Sequence, residues 1–152
     1  MLFSQWPLGR GIYHNEDRSL AVWINESDHV IVKAIEHRGR IRQSSQKIKD
    51  FLGRLSALLV FARDPAYGFL SVHPARLGSG LELNVVTSLP QLAQNYAKLK
   101  ELCRRYGIQV RRQRHCLFDL VNTNKMGRTE FQILVGFFNG VREILEFEKS
   151  LP

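Results

Sequence analysis

The sequence predicts an α+β fold in which an antiparallel sheet is covered by about three helices. Two runs rich in Val and Ile, residues 20–24 and 29–35, predict strands that join around the polar turn 26–28. Residues 46–61 repeat apolar side chains at helical spacing and predict an amphipathic helix. With 152 residues, 44% of them hydrophobic, the chain can bury a core, which predicts a single domain over residues 1–152.

The second half of the chain predicts two more pairs of strands. Residues 68–72 and 81–87 are apolar segments on either side of a turn rich in Pro and Gly, and each predicts a strand. Residues 108–111 and 116–121 are close enough in the chain to pair as a hairpin. Strands of this kind complete an antiparallel sheet.

Two further helices are predicted from their end signals. Residues 90–106 predict a helix that ends at Gly107. Thr129 and Gln132 have the spacing of a capping box and predict the start of a last helix, which runs to about Lys149. The side chains of this helix that we expect to face the core are Phe131, Leu134, Phe138, Val141 and Leu145.

The net charge of +8 predicts either solvated basic loops or a surface that binds an acidic partner. Aromatic side chains are not interleaved with the basic clusters, so an acidic protein surface such as that of tubulin ranks above nucleic acid. The candidate interaction surface consists of Arg38, Arg40, Arg42, Arg112 and Arg114.

Other classes of function are disfavoured by the absence of their signals. No apolar run approaches the roughly 20 residues of a membrane span, and residues 1–10 lack the apolar region of a secretory signal, which together predict a cytoplasmic protein. Cys103 and Cys116 have no metal-ligand spacing, so we expect two reduced, buried thiols and no metal site.

Two stretches near the start of the chain carry a family resemblance. Residues 6–15 are WPLGRGIYHN, and residues 23–29 are WINESDH. They are similar to the W-P-x-G-R-G-I-x-x-N and W-x-N-E-E-D-H-L-R stretches of the phosphagen (guanidino) kinases, and of arginine kinase in particular. Further matches follow in the same order at residues 67–79, 89–99, 106–111 and 118–130.

The resemblance implies the C-terminal part of a glutamine synthetase/guanidino kinase-type catalytic domain, shortened at its N-terminal side. In the family, earlier strands of the sheet and two further arginines precede the first motif. An unpaired sheet edge must be covered or paired. We therefore favour missing strands supplied by a partner chain over an edge adapted within this one.

The resemblance also implies that the groups handling the guanidino substrate have been replaced. Ser27 stands where the family has the second Glu of its N-E-E-D-H stretch, a carboxylate that handles the guanidinium. His73 stands where the family has its reactive Cys. The prediction is that no catalytic residue remains.

The positions that bind nucleotide in the family are changed in the same way. Ile31 and Glu82 replace two phosphate-binding arginines, Val86 replaces a His that contacts adenine, and Arg111 alone matches. A carboxylate about 5 Å from a phosphate charge repels it by about 3 kcal/mol at an effective dielectric constant of about 20. Glu82 therefore predicts poor phosphate binding, with no nucleotide cofactor.

The mobile Gly-rich loop of the family is also expected to be absent. The resemblance implies that this loop follows Arg111 and carries a second substrate-binding Glu. Only six residues separate Arg111 from Phe118. A connection of that length cannot close over a nucleotide and exclude water.

The resulting functional prediction is a catalytically inactive, phosphagen-kinase-like structural or adaptor subunit, not an enzyme. Its partners would be proteins of a larger assembly, such as a microtubule-associated or axonemal one. One alternative is a weak nucleotide-binding or sensing module that uses Trp23, Arg111, Asp119 and the turn at residues 77–80. Another is an active guanidino kinase completed by a partner chain.

Overall fold

A computed structural model describes residues 8–37, 39 and 41–152, which fall into two compact units. Unit 1 extends to Ala62 and includes Ser71–His73. Unit 2 consists of Arg63–Leu70 and Pro74–Pro152. The α+β class is confirmed, and the predicted single domain over residues 1–152 stays a prediction.

Unit 1 contains a three-stranded antiparallel sheet in the order β1-β2-β3, formed by Gly11–His14, Leu20–Ile24 and Val30–Ala34. The predicted strand 20–24 is confirmed, and the predicted strand 29–35 is one residue shorter at each end. Strand β1 was not predicted. Its Gly and His residues weaken the strand signal, and its pairing with β2 decides its conformation.

The helix of unit 1, α1, spans Ile41–Ser56 and not the predicted 46–61. After Ile41 its first turn is polar, and a single apolar residue does not establish helical spacing, which is why the predicted start was late. The predicted end was also late, because Leu58 and Leu59 continue the helical spacing. Leu58 is 80% exposed, and the Leu59 N–H donates to the carbonyl of Leu55 in a closing turn.

Unit 2 contains a three-stranded antiparallel sheet in the order β6-β8-β7 and a two-stranded ribbon, β4-β5. The sheet strands are Asn84–Ser88 (β6), Ile108–Arg114 (β7) and Leu117–Asn122 (β8), and the ribbon strands are Arg63–Asp64 (β4) and Gly68–Phe69 (β5).

Two predicted strands are shorter than expected because side chains take their backbone bonds. The predicted strand 68–72 ends at Phe69, since the Ser71 hydroxyl and the Val72 N–H donate to Asp28. The predicted strand 81–87 begins only at Asn84, because the backbone before it bonds to the side chain of Asn122.

The predicted helix 90–106 is two helices, α2 (Pro90–Gln94) and α3 (Tyr96–Arg105). Asn95 separates them, since it caps the end of α2 and its side chain accepts from the Lys98 N–H at the start of α3. The last helix, α4, spans Glu130–Ser150, and its predicted capping box is confirmed. The described residues thus contain four α-helices where about three were predicted.

The core of unit 2 lies between its three-stranded sheet and helices α2, α3 and α4. Phe131, predicted to face this core, is 74% exposed, because the buried side of α4 is rotated from the predicted stripe. The fully buried side chains of α4 are Ile133, Phe137, Val141, Ile144 and Glu148, of which Val141 was predicted. The predicted Phe138 and Leu145 are partly buried and pack against the same core.

Glu148, the charged residue on the buried side of α4, has a structural role. The carboxylate of Glu148 accepts hydrogen bonds from the N–H groups of Gln91 and Leu92, at 2.7 and 2.8 Å. These are among the donors that the start of a helix leaves without intrahelical partners. Glu148 thereby fixes α2 against α4.

Among the described residues, no helix combines the length and the apolar character needed to cross a membrane.

Two glycines of α4 should respond in opposite ways to substitution by Ala. A Cβ at Gly140 would lie 2.5 Å from the Cβ of Tyr106 and 2.8 Å from Cδ1 of Ile108, whereas one at Gly136 meets no atom within 4 Å. We expect Gly140→Ala to lower the free energy of unfolding by about 2 kcal/mol through overpacking. Gly136→Ala should raise it by about 0.5–1 kcal/mol, because Ala loses less backbone entropy. Urea unfolding of both variants checks this, and equal effects would contradict the packing of α4.

Candidate functional site

The position of the replaced substrate carboxylate lies in the turn between β2 and β3 of unit 1. Ser27 is buried, and its backbone N–H donates to Oε2 of Glu26 at 2.6 Å. A buried serine cannot supply the negative charge that a guanidinium needs. The turn therefore keeps its fold without the charge that the resemblance assigns to it.

The position of the replaced thiol is held close to the same turn. The carboxylate of Asp28 accepts from the Ser71 hydroxyl at 2.7 Å and from the Val72 N–H at 3.3 Å. The N–H of His73 in turn donates to the Ser71 hydroxyl at 3.1 Å. Ser27 and His73 are thus brought onto neighbouring segments, although His73 itself is exposed.

The position of the first replaced arginine, Ile31, lies on β3 directly opposite Trp23 of β2. Two residues further along β3, Nζ of Lys33 lies 4.0 Å from the centroid of the Trp23 ring. A cation therefore remains on this face, but it is engaged with an aromatic ring. Lys33 was not singled out from the sequence, because one lysine in a strand gives no signal of its partner.

The first motif, residues 6–15, is described only in part, since Trp6 and Pro7 lie outside the described residues. Gly9 has a positive φ of 67°, and its carbonyl accepts from Nδ2 of Asn25 at 2.9 Å. The two stretches that carry the resemblance are therefore bonded to each other in unit 1.

Two positions that the resemblance assigns to nucleotide binding, Val86 and Arg111, lie on the open face of the sheet of unit 2. Val86, Asp119 and Arg111 are direct partners across β6, β8 and β7, so their side chains share one face. Arg111 is exposed, and its Nη2 donates to Oε1 of Gln109 at 3.1 Å. Oδ1 of Asp119 accepts from Nε2 of Gln113 at 2.8 Å. The one matching arginine is thus present and accessible.

Glu82 forms an ion pair at the position of the second replaced arginine. Its Oε2 lies 3.0 Å from Nζ of Lys125, whose side chain is only 6% exposed. Burial of the Glu82 carboxylate acts to raise its pKa, but the hydrogen bond and charge of Lys125, together with the charges of Arg76 and Arg111, outweigh it. The pKa of Glu82 is therefore held below its ordinary value, and the group is negatively charged at neutral pH.

A two-residue turn, His115 and Cys116, joins β7 to β8. His115 has a positive φ of 28°, and Sγ of Cys116 lies 3.2 Å from the hydroxyl of Ser88. The strands pair up to Arg114 and Leu117 on either side of the turn. No length of chain between these strands is free to act as a lid, as the spacing predicted.

The basic residues proposed as an interaction surface have different environments. Arg42 is exposed on α1, and Arg114 is exposed at the end of β7. The guanidinium of Arg112 stacks over Tyr96 and donates to the carbonyl of Ala93 at 2.9 Å, so it also stabilises the fold. Arg38 and Arg40 lie outside the described residues.

In the part of the chain that the structure describes, no group of three or more His, Cys, Asp and Glu side chains is arranged to hold a metal ion.

Comparison with known families decides the relationship. The model of the ATP:guanido phosphotransferase C-terminal catalytic domain matches residues 1–151. The chain belongs to this family. The resemblance drawn from the short motifs is therefore confirmed.

Individual members of the family are similar to this chain over nearly its whole length. It is 35% identical to arginine kinase 1 of Drosophila melanogaster and 34% identical to the arginine kinase of Plodia interpunctella. Each alignment covers 96% of this chain but only 43% of the relative. The chain thus spans less than half the length of the curated relatives it matches.

Solved structures show the same fold. The substrate-free duplicated taurocyamine kinase of Schistosoma mansoni matches 97% of this chain, and 20% of its own, with a TM-score of 0.89 and 29% identity. A second structure of that kinase, with bound components of a transition state analog, matches 98% of this chain and 22% of its own, with a TM-score of 0.89 and 34% identity. A lombricine kinase, at 22% identity and a TM-score of 0.85, supports the fold alone.

The partner of Glu82 is the residue that sequence reasoning missed in this phosphotransferase-family chain. Lys125 lies in a polar segment between β8 and α4, where a lysine is expected to be solvated. It is separated from Glu82 by 43 positions, and no motif connects the two. Only the folded chain brings them together.

The two thiols should differ in reactivity. Cys103 is buried in the core, and burial raises the pKa of its thiol to about 11. Cys116, predicted to be buried, is instead half-buried because it lies in the two-residue turn. At pH 8 roughly one Cys103 thiol in a thousand would be ionised, so a thiol reagent should label Cys116 first. Labelling with DTNB should give one fast thiol, and Cys116→Ser should remove that phase. A fast phase that survives this substitution would contradict the assignment.

Proposed function

We propose that this chain is a non-catalytic member of the ATP:guanido phosphotransferase family that serves as a structural or adaptor subunit of a larger protein assembly. The observation that carries the proposal is the two-residue turn of His115 and Cys116, which stands where the resemblance implies a mobile loop with a substrate carboxylate. A two-residue turn cannot close over a nucleotide bound on the open face of the sheet and exclude water.

The replaced substrate groups of unit 1 support the absence of catalysis. Phosphoryl transfer depends on positioning and on charge stabilisation around the transferring group. A positioned acid or base typically contributes a factor of roughly 10²–10⁴ to the rate. Ser27 cannot serve as a carboxylate, and exposed His73 cannot serve as a thiolate. Losing both is enough to abolish useful turnover.

Two surface features support an adaptor role. Helix α1 carries Arg42, Lys47, Lys49 and Arg54, against one acidic residue, Asp50. Of these, Lys47 is already engaged with Asp17 and Ser19. Helix α1 and the sheet of unit 1 also form a groove of about 280 Å³, lined by Tyr13, Val22, Ile24, Val30, Phe51, Leu55 and Leu59. An acidic protein that inserts an apolar side chain beside its carboxylates matches both features. Tubulin or another acidic protein surface is the partner class that we propose, ahead of nucleic acid.

The first test is an assay of phosphoryl transfer. With MgATP and arginine, taurocyamine or lombricine, and also in the reverse direction, we expect no turnover above background, with an arginine kinase as the positive control. Calorimetry with millimolar MgATP should give no saturable heat. Turnover would overturn the proposal, and saturable binding without turnover would instead favour a nucleotide-sensing module that uses Arg111 and Asp119.

The second test addresses the basic surface. We expect the chain to co-sediment with polymerised microtubules, and raised salt should weaken this binding because exposed charges are screened. The pair Arg42→Glu and Arg54→Glu, both exposed on α1, should reduce binding at least about fivefold. The pair Arg142→Glu and Lys149→Glu on α4 makes the same change in net charge and should have little effect. An equal loss of microtubule binding with both pairs would show that net charge alone drives the attraction, which would contradict a specific adaptor surface.

A further inference from the structure

Lys125 is a buried cation that needs an anionic partner. Its side chain is only 6% exposed, and a buried ammonium is stable only when it is paired. Its carboxylate partner is Glu82, at 3.0 Å. Since Glu82 is itself about half exposed, the anion of this pair lies at the surface while the cation lies beneath it.

The backbone on both sides of Glu82 is fixed by one buried side chain. Oδ1 of Asn122 accepts from the Leu83 N–H at 2.7 Å, and its Nδ2 donates to the Leu81 carbonyl at 3.2 Å. Asn122 is 5% exposed and ends strand β8. Glu82 is therefore held between two anchored neighbours.

Lys125 is held equally firmly from its other side. Its carbonyl accepts from the Ser79 N–H at 3.4 Å, and a Cβ at Gly78 would lie 2.5 Å from the same oxygen. Gly78 has a φ of 108°, which other residues adopt only with strain. Segment 78–79 thus packs directly against Lys125, shortly after the 3-10 turn Pro74–Arg76.

Two further cations act on Glu82 in addition to its partner Lys125. Arg76 and Arg111 both act on the Glu82 carboxylate and help to hold its pKa below the ordinary value, against the effect of burial. Together with Lys125 this makes three cations that act on the Glu82 carboxylate, and a second carboxylate, Asp119, lies directly across the strands from Arg111. Such a cluster attracts anions, and the anion in contact with Lys125 is a side chain of the chain itself.

We infer that the Glu82 carboxylate is a resident anion, which takes the place of a bound oxyanion on Lys125 and closes this part of unit 2 to phosphate. The inference rests on the contacts of unit 2 alone. It does not depend on the proposed function, because its test measures anion binding and stability, not phosphoryl transfer.

The decisive variant is Glu82→Ala in the full chain, with inorganic phosphate as the probe. Removing the carboxylate leaves Lys125 buried without its anion and leaves space beside it. We expect the midpoint of thermal unfolding to fall by about 5 °C relative to wild type. Phosphate at 50 mM should restore about 4 °C of this loss relative to chloride at the same ionic strength, as expected for a site of millimolar affinity. Wild type should show no such phosphate effect.

Two control variants separate charge from space. Glu82→Gln keeps the volume and a hydrogen-bond acceptor, so phosphate should not stabilise it. In the double variant Glu82→Ala with Lys125→Met the buried charge is also gone. The double variant should recover stability relative to Glu82→Ala and should not respond to phosphate, because replacing both members of a pair costs less than leaving one unpaired.

The outcomes are distinct. A phosphate effect confined to Glu82→Ala supports the resident anion. Equal stabilisation of wild type by phosphate, or no phosphate effect on Glu82→Ala, would overturn it. If Glu82→Ala does not fold, recovery of folding by Lys125→Met supports the inference, and failure to recover overturns it.

Discussion

Unit 2 depends on β8, the strand that pairs on both of its sides. Phe118 and Leu120 on one face of β8 are completely buried in the core, while Asp119 between them lies on the open face with Val86 and Arg111. At its end, Asn122 anchors the backbone beside Glu82. Because side chains alternate along a strand, one short segment determines both the packing and the layout of the candidate site.

That alternation explains how a site can change while the fold remains. Val86 is 54% exposed and Glu82 is about half exposed, so replacing the family's side chains there removed little packing. Surface substitutions away from buried contacts usually change stability by less than about 0.5 kcal/mol. The core side chains of the same strands are enclosed and cannot vary so freely. A chain of this family can therefore differ at these exposed positions and keep a TM-score of 0.89 to a kinase.

The sequence predicts what local patterns and short motifs determine, and it fails where distant residues decide. Strand 20–24 and the capping box of Thr129 and Gln132 are local, and both are confirmed. The burial of Glu148 against Leu92 and the pair of Glu82 with Lys125 join residues 56 and 43 positions apart, which no local pattern reveals. The cap at Asn95 is local, three positions from Lys98, and was missed. In α4, apolar residues occupy more than one face, so periodicity alone did not select the buried side, and Phe131 was assigned wrongly.

The charge balance around Glu82 also bears on which side chains this position accepts. In a phosphate-binding site, clustered cations repel one another until the ligand neutralises them, so a protein that no longer binds phosphate keeps that repulsion permanently. A carboxylate at Glu82 removes it, with Lys125 as the direct partner and Arg76 and Arg111 close enough to lower its pKa against the effect of burial. The substitution Glu82→Arg alone would place a fourth cation beside Lys125, Arg76 and Arg111. An arginine at this position would therefore cost stability in this chain unless a bound anion neutralised the added charge, because the side chain there is in direct contact with Lys125.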